Sequence, residues 1–189
     1  IFLWNSIPDD KLLALARSGK LSEPQVLERQ VREMLLDPRS QALSQNFARQ
    51  WLRLDQLVTA VPDSRRFANY YSRIGCEYWK LGLQSMLEPL LLFESIMIED
   101  RPVMELIHSD YTYRSDELQQ WYRADEPFAG KGERSRFLPS YQQFNRIELD
   151  DKREGGVITT AAVLTMTSSP LRTNPITRGA WVAGVIFNR

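Results

Sequence analysis

A mainly α fold follows from two observations on this 189-residue chain. Apolar residues recur at three- and four-residue spacing, the period of a helix face, through several separate runs. Helix-start and helix-stop residues punctuate those runs. Together they predict an irregular helical bundle of about seven or eight helices, with a long polar loop before the last two. The expected organisation is a helical domain over 1–123, a polar loop over 124–154 and a C-terminal helix-loop-helix over 155–189 packed on the bundle. The chain opens at Ile1 without an initiator methionine or a charged leader, so we read it as a piece of a longer protein.

Ser6 and Asp9 have the serine-to-acid spacing of a helix start, and Gly19 closes the short helix that follows. Ser22 and Gln25 repeat the device ahead of Val26, Leu27, Val31, Met34 and Leu35. This second helix should end at Asp37, because a proline disfavours helical geometry in the residue before it. Asp37 then caps the next helix, with Pro38 in its first turn and Leu43, Phe47, Trp51 and Leu54 as its buried stripe. The longest apolar-periodic run spans 65–100. Cys76, Trp79, Leu83, Met86, Leu90, Phe93 and Met97 form its seam, Gly75 and Gly82 allow close backbone approach, and Pro89 should kink or break it. Gln84, Glu88 and Glu94 interrupt this run too often for the ~20 apolar residues a bilayer span needs.

A short helix is expected through Ile107, a turn or extended link over 109–113, and another short helix over 115–123. Residues 124–154 are polar, with Pro127, Gly130, Gly132 and Pro139, and suit a long surface excursion holding a short strand near 144–149. After Gly155 and Gly156, the run VITTAAVLTMTSS reads as a buried helix, Pro170 and Pro175 bracket a tight loop, and residues 176–187 form a final apolar helix.

Composition excludes several functions. Lys plus Arg and Asp plus Glu each number 24, so no bulk attraction to nucleic acid or anionic membrane is implied. One cysteine, Cys76, and one histidine, His108, exclude an intrachain disulfide, a cysteine-rich zinc site, a histidine cluster and a covalently attached haem. No cofactor is therefore expected in this stretch. Cys76 reads as an inert buried thiol, and His108 as a partly buried hydrogen-bonding residue. Asp110, Tyr111 and Tyr113 fit a turn better than a cleft, and Glu99 and Asp100, adjacent on a helix end, do not face each other as a dyad. No nucleophile elbow, phosphate loop or dinucleotide fingerprint is present.

The polar candidate is the tail around Ser168 and Ser169. Arg172, Thr173, Asn174 and Arg178 cluster there, with Thr173 or Asn174 capping the last helix and Pro175 in its first turn. Two readings stand. The arginines and the free amides of that turn form an anion site for a phosphate, sulfate or uronate. In the favoured one, the arginines bind carbonyls and carboxylates of neighbouring segments, such as Asp110 or Glu99, and pin the tail to the bundle.

Three strings carry a family signal: FLWNSIPDDKLLALARSGKLS, LLFESIMIEDRPVMELIHSDYTY and GGVITTAAVLTMTSSPLRTNPITRGAWV. They resemble consecutive domains of unknown function in large planctomycete-type proteins, which commonly stand beside a cytochrome c-like module. Residues 124–139 fall outside the resemblance. Two positions depart from it: His108 stands where an acidic residue is usual, and Trp121-Tyr122 where a His-Tyr pair is frequent. The resemblance implies an exported or periplasmic location, with any haem elsewhere in the full-length protein. It implies a non-catalytic module that docks or orients neighbouring domains of the same longer chain. The alternative is an enzyme domain acting on an anionic polysaccharide, with Arg172 and Arg178 gripping substrate and the long loop as a lid.

Overall fold

In the computed structural model, which describes residues 2–67, 78–122, 144–151 and 153–189, the first helix starts from Asp9 and not from Ser6. Pro8 holds its predecessor away from helical geometry, so the cap moves past it. Asp9 accepts the Leu12 amide at 3.0 Å and opens α1, Asp10–Arg17. Gly19, at φ 71°, closes it as expected. Ser22 does not cap α2 either. It ends a 3₁₀ turn, Lys20–Ser22, and α2, Pro24–Leu36, starts after Glu23 because Pro24 takes the first helical position.

Asp37 behaves as its sequence context demands. It is extended before Pro38, ends α2, and accepts the Arg39 amide at 2.8 Å to start the 3₁₀ turn Pro38–Ser40. The chain continues through α3, Gln41–Leu43, a π-helical turn, Ser44–Ala48, and α4, Arg49–Trp51. A π turn inserts an extra residue into the helix and rotates the stripe that follows. Ala48 and Leu52 therefore face inward, while Phe47, expected in the stripe, is 45% exposed.

The long helix α5, Tyr78–Ile98, runs through Pro89 without breaking. Met86, Leu90, Leu92, Phe93 and Ile96 are buried along it, and this packing on both sides of the proline holds the helix together. Met97, expected on the seam, is exposed where the helix leaves the core. Gly75 and Cys76, and the side chains of Trp79 and Leu83, lie outside the described residues. No described helix is long and apolar enough to cross a membrane.

Beyond a 3₁₀ turn, Val103–Leu106, the expected link is a strand, β1, Tyr111–Arg114, paired antiparallel with β2, Asn145–Glu148. Tyr111 lies opposite Glu148 and Arg114 opposite Asn145. Helix α6, Asp116–Tyr122, follows β1 directly. His108 is exposed, not partly buried, because Leu106 and Ser109 fill the inward positions around it. Gly155 and Gly156 then press their backbones against that segment. A Cβ on Gly156 would stand 2.2 Å from the Ile107 carbonyl oxygen, and one on Gly155 2.1 Å from that of Ser109.

Helix α7, Ala161–Met166, is buried, as expected, and is followed by α8, Pro175–Trp181, and a second π turn, Val182–Ile186. One core joins the early and late helices: Leu52, Leu54 and Leu57 meet Leu90, Phe93, Ala162, Val163, Trp181 and Val185. Two tryptophans tie the segments reciprocally. The Trp51 indole donates to the Val185 carbonyl at 2.9 Å, and the Trp181 indole to the Leu52 carbonyl at 3.2 Å. The result is mainly α, with one small two-stranded sheet among the described residues.

Candidate functional site

The 3₁₀ turn Leu54–Thr59 packs on α7 through Leu54 and Leu57, and the chain then leaves the core in extended form over 60–63. The Asp63 amide donates to the Pro170 carbonyl at 2.8 Å, which fastens this segment to the loop after α7. That loop is a tight turn in which Ser169 and Arg172 exchange backbone hydrogen bonds at 2.9 and 3.2 Å, with Pro170 at its corner. Between the two segments lies a cleft of about 910 Å³, in the upper part of the range of small-molecule sites.

Three arginines line it. Arg66 comes from the first wall, where the Asp63 carboxylate accepts the Arg65 and Arg66 amides at 3.1 and 2.8 Å and sets the turn that presents it. Arg172 and Arg178 come from the second wall. Arg178 donates from Nε to the Thr167 hydroxyl at 3.3 Å, and Arg172 is exposed. Among the described residues none of the three makes an ion pair, and no Asp or Glu side chain lines the cleft. In a chain of zero formal charge this is a local concentration of positive charge.

The structure places Arg172, Thr173 and Arg178 on one cleft, and Asn174 beside it as the cap of α8. Asn174 Oδ1 accepts the Thr177 amide at 3.1 Å, and its Nδ2 donates to the Ser169 hydroxyl at 3.2 Å. That amide is therefore already satisfied, and attraction for an anion at the cleft comes from guanidinium groups. The expected pinning by Asp110 or Glu99 is absent. Glu99 pairs instead with Arg101 and Arg146, at 3.4 and 3.2 Å, because the β1–β2 sheet brings Arg146 to the end of α5.

Pinning is done elsewhere, by residues that sequence reasoning passed over. Glu88 of α5 and Arg114 of β1 form a fully buried ion pair at 2.7 Å. The Glu88 carboxylate also accepts the Thr112 hydroxyl at 3.0 Å and the Tyr122 hydroxyl at 2.6 Å. Arg114 further reaches Gln119 at 3.0 Å and Glu154 at 2.7 Å, and its guanidinium lies 3.3 Å from the centre of the Tyr122 ring. The Tyr122 oxygen in turn accepts the Ala161 amide at the start of α7. Burial pushes the Glu88 carboxyl above its usual range against the pull of Arg114, and drives the Tyr122 phenol well up. With no buried side-chain polar atom left without a partner among the described residues, this network closes the structure and offers no open valence to a ligand.

A family model described as PSD4, protein of unknown function (DUF1592), matches residues 1–123. No curated protein and no solved structure matches the chain. The first wall of the cleft lies inside the matched span and the second wall outside it, and the Glu88 network likewise reaches across to Glu154 and Ala161.

Proposed function

Because the chain belongs to the PSD4 family of proteins of unknown function (DUF1592), we propose that it is a non-catalytic helical module of a larger exported, cytochrome-associated protein, docking or orienting a neighbouring domain. The arginine cleft is where it holds an anionic group of what it docks. One observation carries this reading: Arg66, Arg172 and Arg178 line one cleft from both walls, and its described lining contains no carboxylate. Arginines that serve packing have carboxylate partners, as Arg114 does. An arginine left with spare donors on a concave surface is available to an external carboxylate, phosphate or sulfate. The exported, cytochrome-associated context is supported by the three family-like strings. Hydrolysis of an anionic polysaccharide has weaker support, since paired carboxylates do that chemistry and the cleft lining offers arginines, hydroxyls and the Gln56 amide.

Calorimetric titration of the 189-residue chain with polyaspartate, oligogalacturonate and inorganic phosphate tests the reading. Binding of at least one probe is expected, weakened about tenfold by Arg172→Ala and again by Arg178→Ala, since each removes one charge-assisted partner. Loss of melting temperature in Arg172→Ala, with no anion bound by the parent, would return the arginines to a packing role. Cleavage of oligogalacturonate would replace the docking reading with the enzymatic one.

A further inference from the structure

We infer that the cleft takes an extended peptide segment carrying at least two carboxylates and an aliphatic or aromatic side chain between them, supplied by a partner domain. This rests on the anion-binding reading of the same cleft and adds the chemical class of the ligand.

Charge placement is the first argument. Arg66 stands on one wall, and Arg172 and Arg178 on the other. A single oxyanion fills only a small part of about 910 Å³, and the arginines stand on both of its walls. The ligand is therefore large and carries more than one negative charge.

The apolar surface is the second argument. Between the arginines the cleft is lined by Val61, Pro62, Phe67, Leu164, Met166 and Pro170. Of these, Val61 is 55% exposed and Phe67 38% exposed. Large apolar side chains gathered at a concave site and left open to water mark a surface that gains by being covered. A polysaccharide meets them with hydroxyl groups, which lose hydrogen bonds to water against such a surface. Among the described lining residues no tryptophan or tyrosine offers a stacking face with a polar edge for a sugar ring.

An extended peptide meets both demands at once. Its side chains alternate in direction, so carboxylates at alternate positions share one face for the arginines while the residue between them turns to the other face and covers Val61 and Phe67. Charge complementarity fixes its register, and apolar contact supplies the burial.

Fluorescence anisotropy on the 189-residue chain tests this with three labelled, end-blocked hexapeptides: Asp-Leu-Glu-Phe-Asp-Leu, its amide counterpart Asn-Leu-Gln-Phe-Asn-Leu, and its polar counterpart Asp-Ser-Glu-Ser-Asp-Ser. The first is expected to bind, and each of the others to bind about tenfold more weakly or less. Arg66→Ala and Arg172→Ala should each weaken the first peptide about tenfold, and Val61→Ser about threefold, with unchanged circular-dichroism melts. Equal binding of the acidic-apolar and acidic-polar peptides would overturn the apolar half of the proposal. Tighter binding of oligogalacturonate, insensitive to Val61→Ser, would make the ligand a glycan and leave the anion reading standing. Displacement of the peptide by inorganic phosphate at equal affinity would reduce the ligand to a single oxyanion. Binding of no anionic probe at all would sink both readings together.

Discussion

Arg114 and Arg172 carry the same guanidinium into opposite settings. Arg114 is buried, with Glu88 at 2.7 Å, Glu154 at 2.7 Å, Gln119 at 3.0 Å and the Tyr122 ring against its face. Arg172 is exposed on the rim of a cleft, with no ion pair among the described residues. A charge taken out of water must be repaid on every donor, and Arg114 is. Because the Arg172 guanidinium stays in water, it is free to exchange that hydration for a ligand. The closed network holds α5, β1, α6 and α7 in place, and the open cleft is built on the edge of what it holds.

The sharpest break in this comparison is a pair of substitutions. Arg114→Ala removes one partner of a buried pair and leaves Glu88 without its countercharge, so urea denaturation should show a loss of about 3–5 kcal/mol. Arg172→Ala should stay within about 0.5 kcal/mol of the parent, as surface changes do. Equal losses would mean that the tail arginines pin the fold after all.

How far the sequence announces these two regions follows from contact distance along the chain. Caps are local, so Asp37 before Pro38 and Asn174 before Pro175 could be read directly. Arg172, Thr173 and Arg178 stand within seven consecutive positions, and their cluster was visible for the same reason. Arg66 was not, because its neighbours across the cleft lie about a hundred positions away and its run reads as the start of a long helix. Glu88 looked like a mere interruption of an apolar stretch, since its partners Arg114 and Tyr122 arrive from a strand and a helix whose placement depends on tertiary pairing. The two π turns left no signal either. They are local adjustments that let Trp51 and Trp181 exchange hydrogen bonds with the facing helix.

A smaller effect sharpens the closed side. Gly156 is at φ 75°, and a Cβ there would stand 2.2 Å from the Ile107 carbonyl oxygen. Gly156→Ala should cost about 2–3 kcal/mol, through both the left-handed backbone and the displaced segment. Since that segment leads into β1, the variant should also loosen Arg114, seen as faster amide exchange at 111–114. Smaller again is the tryptophan exchange at the back of the core. Trp181→Phe keeps most of the buried area but deprives the Leu52 carbonyl of its donor, a loss of about 1–2 kcal/mol by urea denaturation. Anion binding at the cleft should survive it, because the Asp63 to Pro170 bond that fastens the two walls is untouched.

The smallest effect comes from an arginine of a third kind, paired yet exposed. Arg39 donates to Asp37 at 2.7 Å and to Asp9 at 3.2 Å, and its guanidinium lies 3.5 Å from the centre of the Trp4 ring. The side-chain bond from Arg39, helped by the Arg39 amide, holds the Asp37 carboxyl at about 2, against an ordinary value of 3.8. A depressed carboxyl means that the unfolded chain binds more protons in that window, so stability from this group is complete above 3.8 and fades as pH falls toward 2. The stability gap between the parent and Asp37→Asn should therefore be small at neutral pH and narrow further across that acid window, followed by thermal melts at stepped pH. A gap that stayed constant down to pH 2 would show that the carboxyl is not held low by Arg39. It would also mean that pairing at an exposed arginine leaves its partner as water does, placing Arg39 with Arg172 and not with Arg114.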